Sequence, residues 1–90
     1  MIYVLLLEND KYYIGWTSED TIDTRLNIHI NEPKVAWIKK YKFVKLLETL
    51  NGSKEDEKET TLKYMRLYGW ENVRGGPWTA CSLKAPLEFR

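Results

Sequence analysis

Tyr3, Tyr13, Arg25 and His29 stand in the first third of the chain, and each carries a group that can move a proton or hold an anion. A phenol with an ordinary pKa near 10 is a poor base at neutral pH unless neighbouring positive charge favours phenolate. Arginine's planar, multiply donating guanidinium suits a phosphate that gains charge during attack. Imidazole can relay a proton or bind the same anion. Arg25 and His29 are four residues apart, so a helix there points both the same way. Each also has a plainer role: strand tyrosines pack their rings and wet their hydroxyls, an arginine can pair at the surface, and the chain's lone histidine can be structural.

These residues need elements to position them. Ile2 to Leu7 and Tyr12 to Trp16 are rich in β-branched, aromatic and large apolar residues, with Glu8, Asn9, Asp10 and Lys11 between them, and predict an antiparallel hairpin. Gly15 fits either a close approach of other atoms or a simple strand end. Thr17, Ser18 and Asp20 offer caps before a helix from about Thr21 to Ile30. Pro33 interrupts it, a short helix is expected over 35–40, and Tyr41 to Leu50 is expected as a third strand. After the turn Asn51–Ser53, the spacing of Leu62 and Met65 predicts a helix from Lys54 to Tyr68, ended by Gly69. The expectation is one α/β (α+β) domain over residues 1–90, a three-stranded mainly antiparallel sheet flanked by helices, with residues 70–90 wrapping back over it.

Composition narrows the classes. An apolar fraction of 43% with four tryptophans supports a packed core, while 30% charged residues keep the surface polar. A formal charge of +1 neither demands nor excludes nucleic acid, because a local basic face can coexist with acids elsewhere. Cys81 is alone, so an internal disulfide and a cysteine-based zinc site are excluded. No apolar run is long enough to cross a bilayer, and Met1 leads into patterned sequence rather than a basic leader. An intracellular location, cytoplasmic or nuclear, with no membrane partner, is expected.

MIY at the start, YYIG at Tyr12–Gly15 and RLNIH at Arg25–His29, taken in order, resemble the motifs of the GIY-YIG nuclease superfamily, particularly its small stand-alone domains. Met1 stands where the first motif has glycine. AWIKKYKFVKLLE resembles the stretch carrying the third strand, and the likeness covers about residues 1 to 80. It implies a three-stranded antiparallel sheet with flanking helices and metal-dependent DNA endonuclease activity that leaves 5′-phosphate and 3′-hydroxyl ends. It implies Tyr3 as proton acceptor or water-orienting group, Tyr13 as the group that positions the water, the phosphate or Tyr3, Arg25 as the catalytic arginine and His29 as an assisting base, proton relay or phosphate ligand.

The resemblance also implies a glutamate on the helix after the third strand, holding Mg2+ or Mn2+. The common register lands on Thr61, which has no carboxylate. Glu59 is therefore the expected ligand, with Glu57 second; both also fit an acidic first turn that complements the helix dipole. Lys39 and Lys40, among the lysines at and after the short helix, are expected to meet DNA phosphates. WENVRGG resembles a C-terminal signature of compact members. In it Arg74 could meet phosphate, or Trp70 and Trp78 could close a packing clasp that orients it. The partners expected are duplex or branched DNA and a second copy or a recognition subunit. The rival expectation is a catalytically weakened DNA-binding or protein-interaction domain, separated from the first by metal dependence.

Overall fold

The apolar runs at the start of the chain form the centre of a four-stranded sheet. Strand β1 (Ile2–Leu7) pairs antiparallel with β2 (Lys11–Trp16), from Ile2 opposite Trp16 to Leu7 opposite Lys11. Asn9 and Asp10 make the connection at φ of 60° and 56°, the left-handed region that these two residue types tolerate best after glycine. The computed structural model describes all residues from 1 to 90.

β1 is apolar without alternation because both of its faces are covered. Ile2 and Val4, with Ile14, pack against Leu62, Tyr64 and Met65 of α3 (Asp56–Tyr68). Tyr3, Leu5, Leu7 and Tyr13 face the other way, against Trp37 and Ile38 of α2 (Ala36–Lys40). Ile22 and Leu26 of α1 (Ile22–Asn31) close the rim of this second layer. The Trp37 indole N–H donates to the Tyr12 carbonyl at 3.0 Å, which pins α2 to β2. Strand β3 (Phe43–Leu50) pairs antiparallel with β1 through two register shifts and forms one sheet edge.

The other edge corrects the expected three-stranded antiparallel sheet. Val73–Gly75 forms β4, parallel to β2, so the order is β3-β1-β2-β4 and the sheet is mixed. Three residues reading Val-Arg-Gly carry no strand periodicity; contact with β2 and α3 makes the strand. Gly75 permits that contact, since a Cβ there would lie 2.5 Å from the Ile14 carbonyl oxygen and 2.7 Å from Thr61 Oγ1. Beyond it, Gly75 and Trp78 exchange backbone hydrogen bonds, Cys81 packs on the α2 layer and Phe89 on the α3 layer. The segment after residue 70 therefore supplies a strand and then covers both layers. The radius of gyration, 12.1 Å, matches the roughly 12 Å of a compact chain of this length. No helix is long and apolar enough to cross a membrane.

Candidate active site

Tyr3 and Tyr13 sit on neighbouring strands and the same face, with ring centroids 6.3 Å apart. On α1 the positions 22, 26 and 29 recur at helical spacing and turn toward the sheet, so His29 is carried onto the two tyrosines. Its ring lies 5.7 Å from Tyr3 and 5.6 Å from Tyr13, centroid to centroid. All three are buried. Tyr3 Oη and His29 Nε2 are hydrogen-bonded at 2.8 Å, with the imidazole tautomer deciding which group donates.

Gly15 is what lets the Tyr3 hydroxyl reach that position. It stands opposite Tyr3 in the hairpin register, and a Cβ on it would fall 2.3 Å from both Oη and Cζ of the phenol. Of the two roles open to Gly15 in the sequence, the close approach is the one realised.

Arg25 is exposed one turn before His29 on α1, and its positive charge favours ionised Tyr3 and Tyr13 while opposing protonation of His29. Glu57, in the first turn of α3, is half-buried near the Trp16 main chain. Its charge acts on both tyrosines, and Arg25 acts on it in return. Tyr3, Tyr13 and His29 thus pack together at the end of the hairpin where β1 begins and β2 ends, within electrostatic reach of Arg25 and Glu57.

Burial dominates the electrostatics. It raises the Tyr3 pKa strongly, with Tyr13 adding to the rise, and pushes Tyr13 up to about 12. It lowers His29 to about 4, with Arg25 acting in the same direction. In water a tyrosine and a histidine differ by about 3.5 pKa units, and here burial widens that gap from both sides. The proton therefore rests on Tyr3, and His29 is neutral at pH 7. Desolvation also raises the Glu57 pKa, offset in part by Lys54, the Trp16 main chain and Arg25.

The His29 shift has a measurable consequence. Between pH 6.5 and about 4 the unfolded chain takes up a proton on this residue that the native state refuses. Stability therefore falls as pH falls through that window, by about 3 kcal/mol if the whole shift is expressed. The expected result is that chemical denaturation shows this loss in the parent protein and that His29→Gln removes it. Glu57 titrates with the opposite sign but is common to both proteins, so the difference isolates His29.

Helix geometry separates the two candidate metal ligands. Glu59 is exposed, and at about 100° per residue it lies roughly 200° around α3 from Glu57. Glu57 shares a face with Thr61, whose hydroxyl donates to the Glu57 carbonyl at 2.8 Å. Thr61 itself is fully buried against Gly75. The stepping from Thr61 back to Glu57 is the signal that separates the two glutamates. No group of three or more His, Cys, Asp or Glu side chains is gathered anywhere in the chain. A half-buried carboxylate beside phenol oxygens still fits magnesium or manganese, which are often held by one carboxylate with water and substrate phosphate completing the shell.

Arg74 is also corrected. It is 3% exposed, and its guanidinium donates to the carbonyls of Ala80 (2.8 Å), Trp70 (2.9 Å), Val73 (2.9 Å) and Cys81 (3.0 Å). The Trp37 ring lies 4.2 Å from its Cζ. It is a clasp, with four of its five N–H donors committed to main-chain carbonyls. Lys39 and Lys40 are exposed on α2; the Lys40 ammonium lies 5.4 Å from the Tyr41 ring centroid. Compared with protein families, curated proteins and solved structures, the chain matches none.

Proposed function

We propose that this protein is a divalent-metal-dependent DNA endonuclease of the GIY-YIG kind, acting through Tyr3, Tyr13, Arg25, His29 and Glu57. The observation that carries the reading is the Tyr3–His29 hydrogen bond, made across a glycine that leaves room for nothing larger, with Arg25 and Glu57 converging on it. The ordered resemblance of MIY, YYIG and RLNIH to that superfamily supports it.

In this reading water attacks the phosphorus, the bond to the 3′ oxygen breaks, and the products carry 5′-phosphate and 3′-hydroxyl ends. Tyr3, once its own proton has passed to solvent, takes the proton of the attacking water as phenolate, the departing 3′ oxygen is protonated by solvent, and Arg25 donates to phosphate oxygens as they gain charge. His29 holds the Tyr3 oxygen in place, and Tyr13 packs against both rings and borders the water's approach. Glu57 would hold Mg2+ or Mn2+, which supplies positive charge that offsets both the phosphate and the departing oxygen. The burial that keeps Tyr3 protonated in the free protein makes added positive charge the condition for its use as a base. Selection among DNA sites would rest on DNA shape, a second copy or a recognition subunit.

Purified protein is expected to cleave supercoiled, linear, nicked or branched DNA with magnesium or manganese. Arg25→Ala is expected to abolish cleavage while preserving the fold, and Tyr3→Phe to lower it about 100-fold or more, since the ring remains without its exchangeable oxygen. Cleavage at the parental rate by either folded variant would remove that residue from the mechanism. One observation favours a second reading, a weakened domain that binds DNA or protein: Tyr3 is 1% exposed and its burial opposes phenolate. Failure of the parent across all substrates and both metals would select it.

A further inference from the structure

His29 has a second face. Its ring helps line a cavity of about 420 Å3 between α1, α2 and the start of β3, together with Asn31, Pro33, Lys39, Lys42 and Phe43. One feature of this cavity, and one of the histidine that lines it, point to a ligand. Its wall is divided, with Pro33 and Phe43, both part-exposed over the buried Ile38, supplying apolar surface and Lys39 and Lys42, both exposed, supplying positive charge. In addition, His29 Nδ1 is the one buried side-chain polar atom in the chain without a hydrogen-bond partner, although the residue is only 4% exposed. An unmatched buried polar atom is destabilising by about 1 to 3 kcal/mol, so natural structures rarely keep one without a use.

We propose that this cavity seats the sugar-phosphate of a nucleotide flanking the scissile phosphodiester, its phosphate at Lys39 and Lys42 and its sugar on Pro33 and Phe43. The inference rests on the nuclease reading for the identity of the strand, and it adds a path: DNA crosses the α1–α2 cleft before reaching Tyr3. A phosphodiester matches the wall because it joins an anion to a largely apolar sugar at fixed spacing. Inorganic phosphate would satisfy the lysines alone. His29 lines this cavity and is hydrogen-bonded to Tyr3 through Nε2, so one residue borders both the seat and the reacting site.

The test measures DNA binding without metal, so cleavage plays no part. Fluorescence anisotropy with a labelled duplex in chelator is compared for the parent, for Lys39→Gln with Lys42→Gln, and for Lys63→Gln with Arg66→Gln, exposed residues of α3. The cavity pair is expected to weaken binding about tenfold and to reduce the salt-dependence slope by about two, while the α3 pair changes affinity less than twofold. Nitrogen NMR of the His29 ring is expected to shift with DNA in the parent but not in the cavity variant, and to shift little with inorganic phosphate alone. Equal weakening by the two pairs, unchanged binding by the cavity pair, or no binding by the parent would overturn the proposal. A protein that binds through the cavity yet never cleaves would sink the nuclease reading and keep the cavity as a seat for a DNA sugar-phosphate; cleavage indifferent to Lys39 and Lys42 would sink the seat and keep the nuclease reading.

Discussion

Glu57→Gln is expected to reduce metal-dependent DNA cleavage by a hundredfold or more, while Glu59→Gln stays within about twofold of the parent. The two glutamates are two residues apart on one helix, share an acidic first turn and differ in where they point. Only Glu57 is half-buried and exchanges charge effects with Tyr3, Tyr13 and Arg25. Removing its charge takes away the one carboxylate at the cluster that can hold a hard cation, whereas Glu59 faces solvent. Stability should move the other way. Desolvation raises the folded-state pKa of Glu57, so its contribution to stability is lost as pH rises from the ordinary carboxylate range through that raised value. At pH 7 the ionised carboxylate is therefore a burden on the fold, and Glu57→Gln is expected to melt at a higher temperature than the parent. The difference should vanish once the pH is low enough to protonate Glu57 in both states. Cleavage surviving in Glu57→Gln and lost in Glu59→Gln would reverse the assignment.

That contrast also shows what the sequence can disclose. For Tyr3, Tyr13, Arg25 and His29 the local patterns are an expected hairpin and one i,i+4 spacing, and the structure packs Tyr3, Tyr13 and His29 together with Arg25 exposed one turn away. The hairpin and the α3 region were legible for the same reason, since periodicity is strong where a long segment buries one face. Glu57 needed one more step, the stepping of about 100° per residue back from the buried Thr61, Leu62 and Met65. Choosing between glutamates by proximity in sequence loses that angle. β4 lay beyond local patterns altogether. Val73, Arg74 and Gly75 pair with β2 because α3 and β2 leave a slot that a glycine can enter, and a slot made by distant segments leaves no trace in three residues.

Arg74 shows the same difficulty in its strongest form, because a cationic side chain beside two glycines looks like a phosphate contact until its partners are known. Arg74→Lys is expected to destabilise the fold by about 3 kcal/mol or more, lowering the melting temperature by more than about 10 °C, although the charge is kept. One ammonium cannot span the carbonyls of Trp70, Val73, Ala80 and Cys81 or cover the Trp37 ring, and the carbonyls it abandons lose charge-assisted hydrogen bonds worth about 1.5 to 3 kcal/mol each when taken singly. DNA affinity per folded molecule and its salt slope should be unchanged. A phosphate contact predicts the opposite, a stable variant whose retained charge keeps most of the binding, and that outcome would restore Arg74 to the DNA surface. The clasp matters to the site even so. Arg74 holds Trp37, Trp37 holds the Tyr12 carbonyl, and Tyr12 precedes Tyr13 on β2. The arginine that the motif offers as a ligand instead keeps in place, from behind, the strand that carries Tyr13 and Gly15.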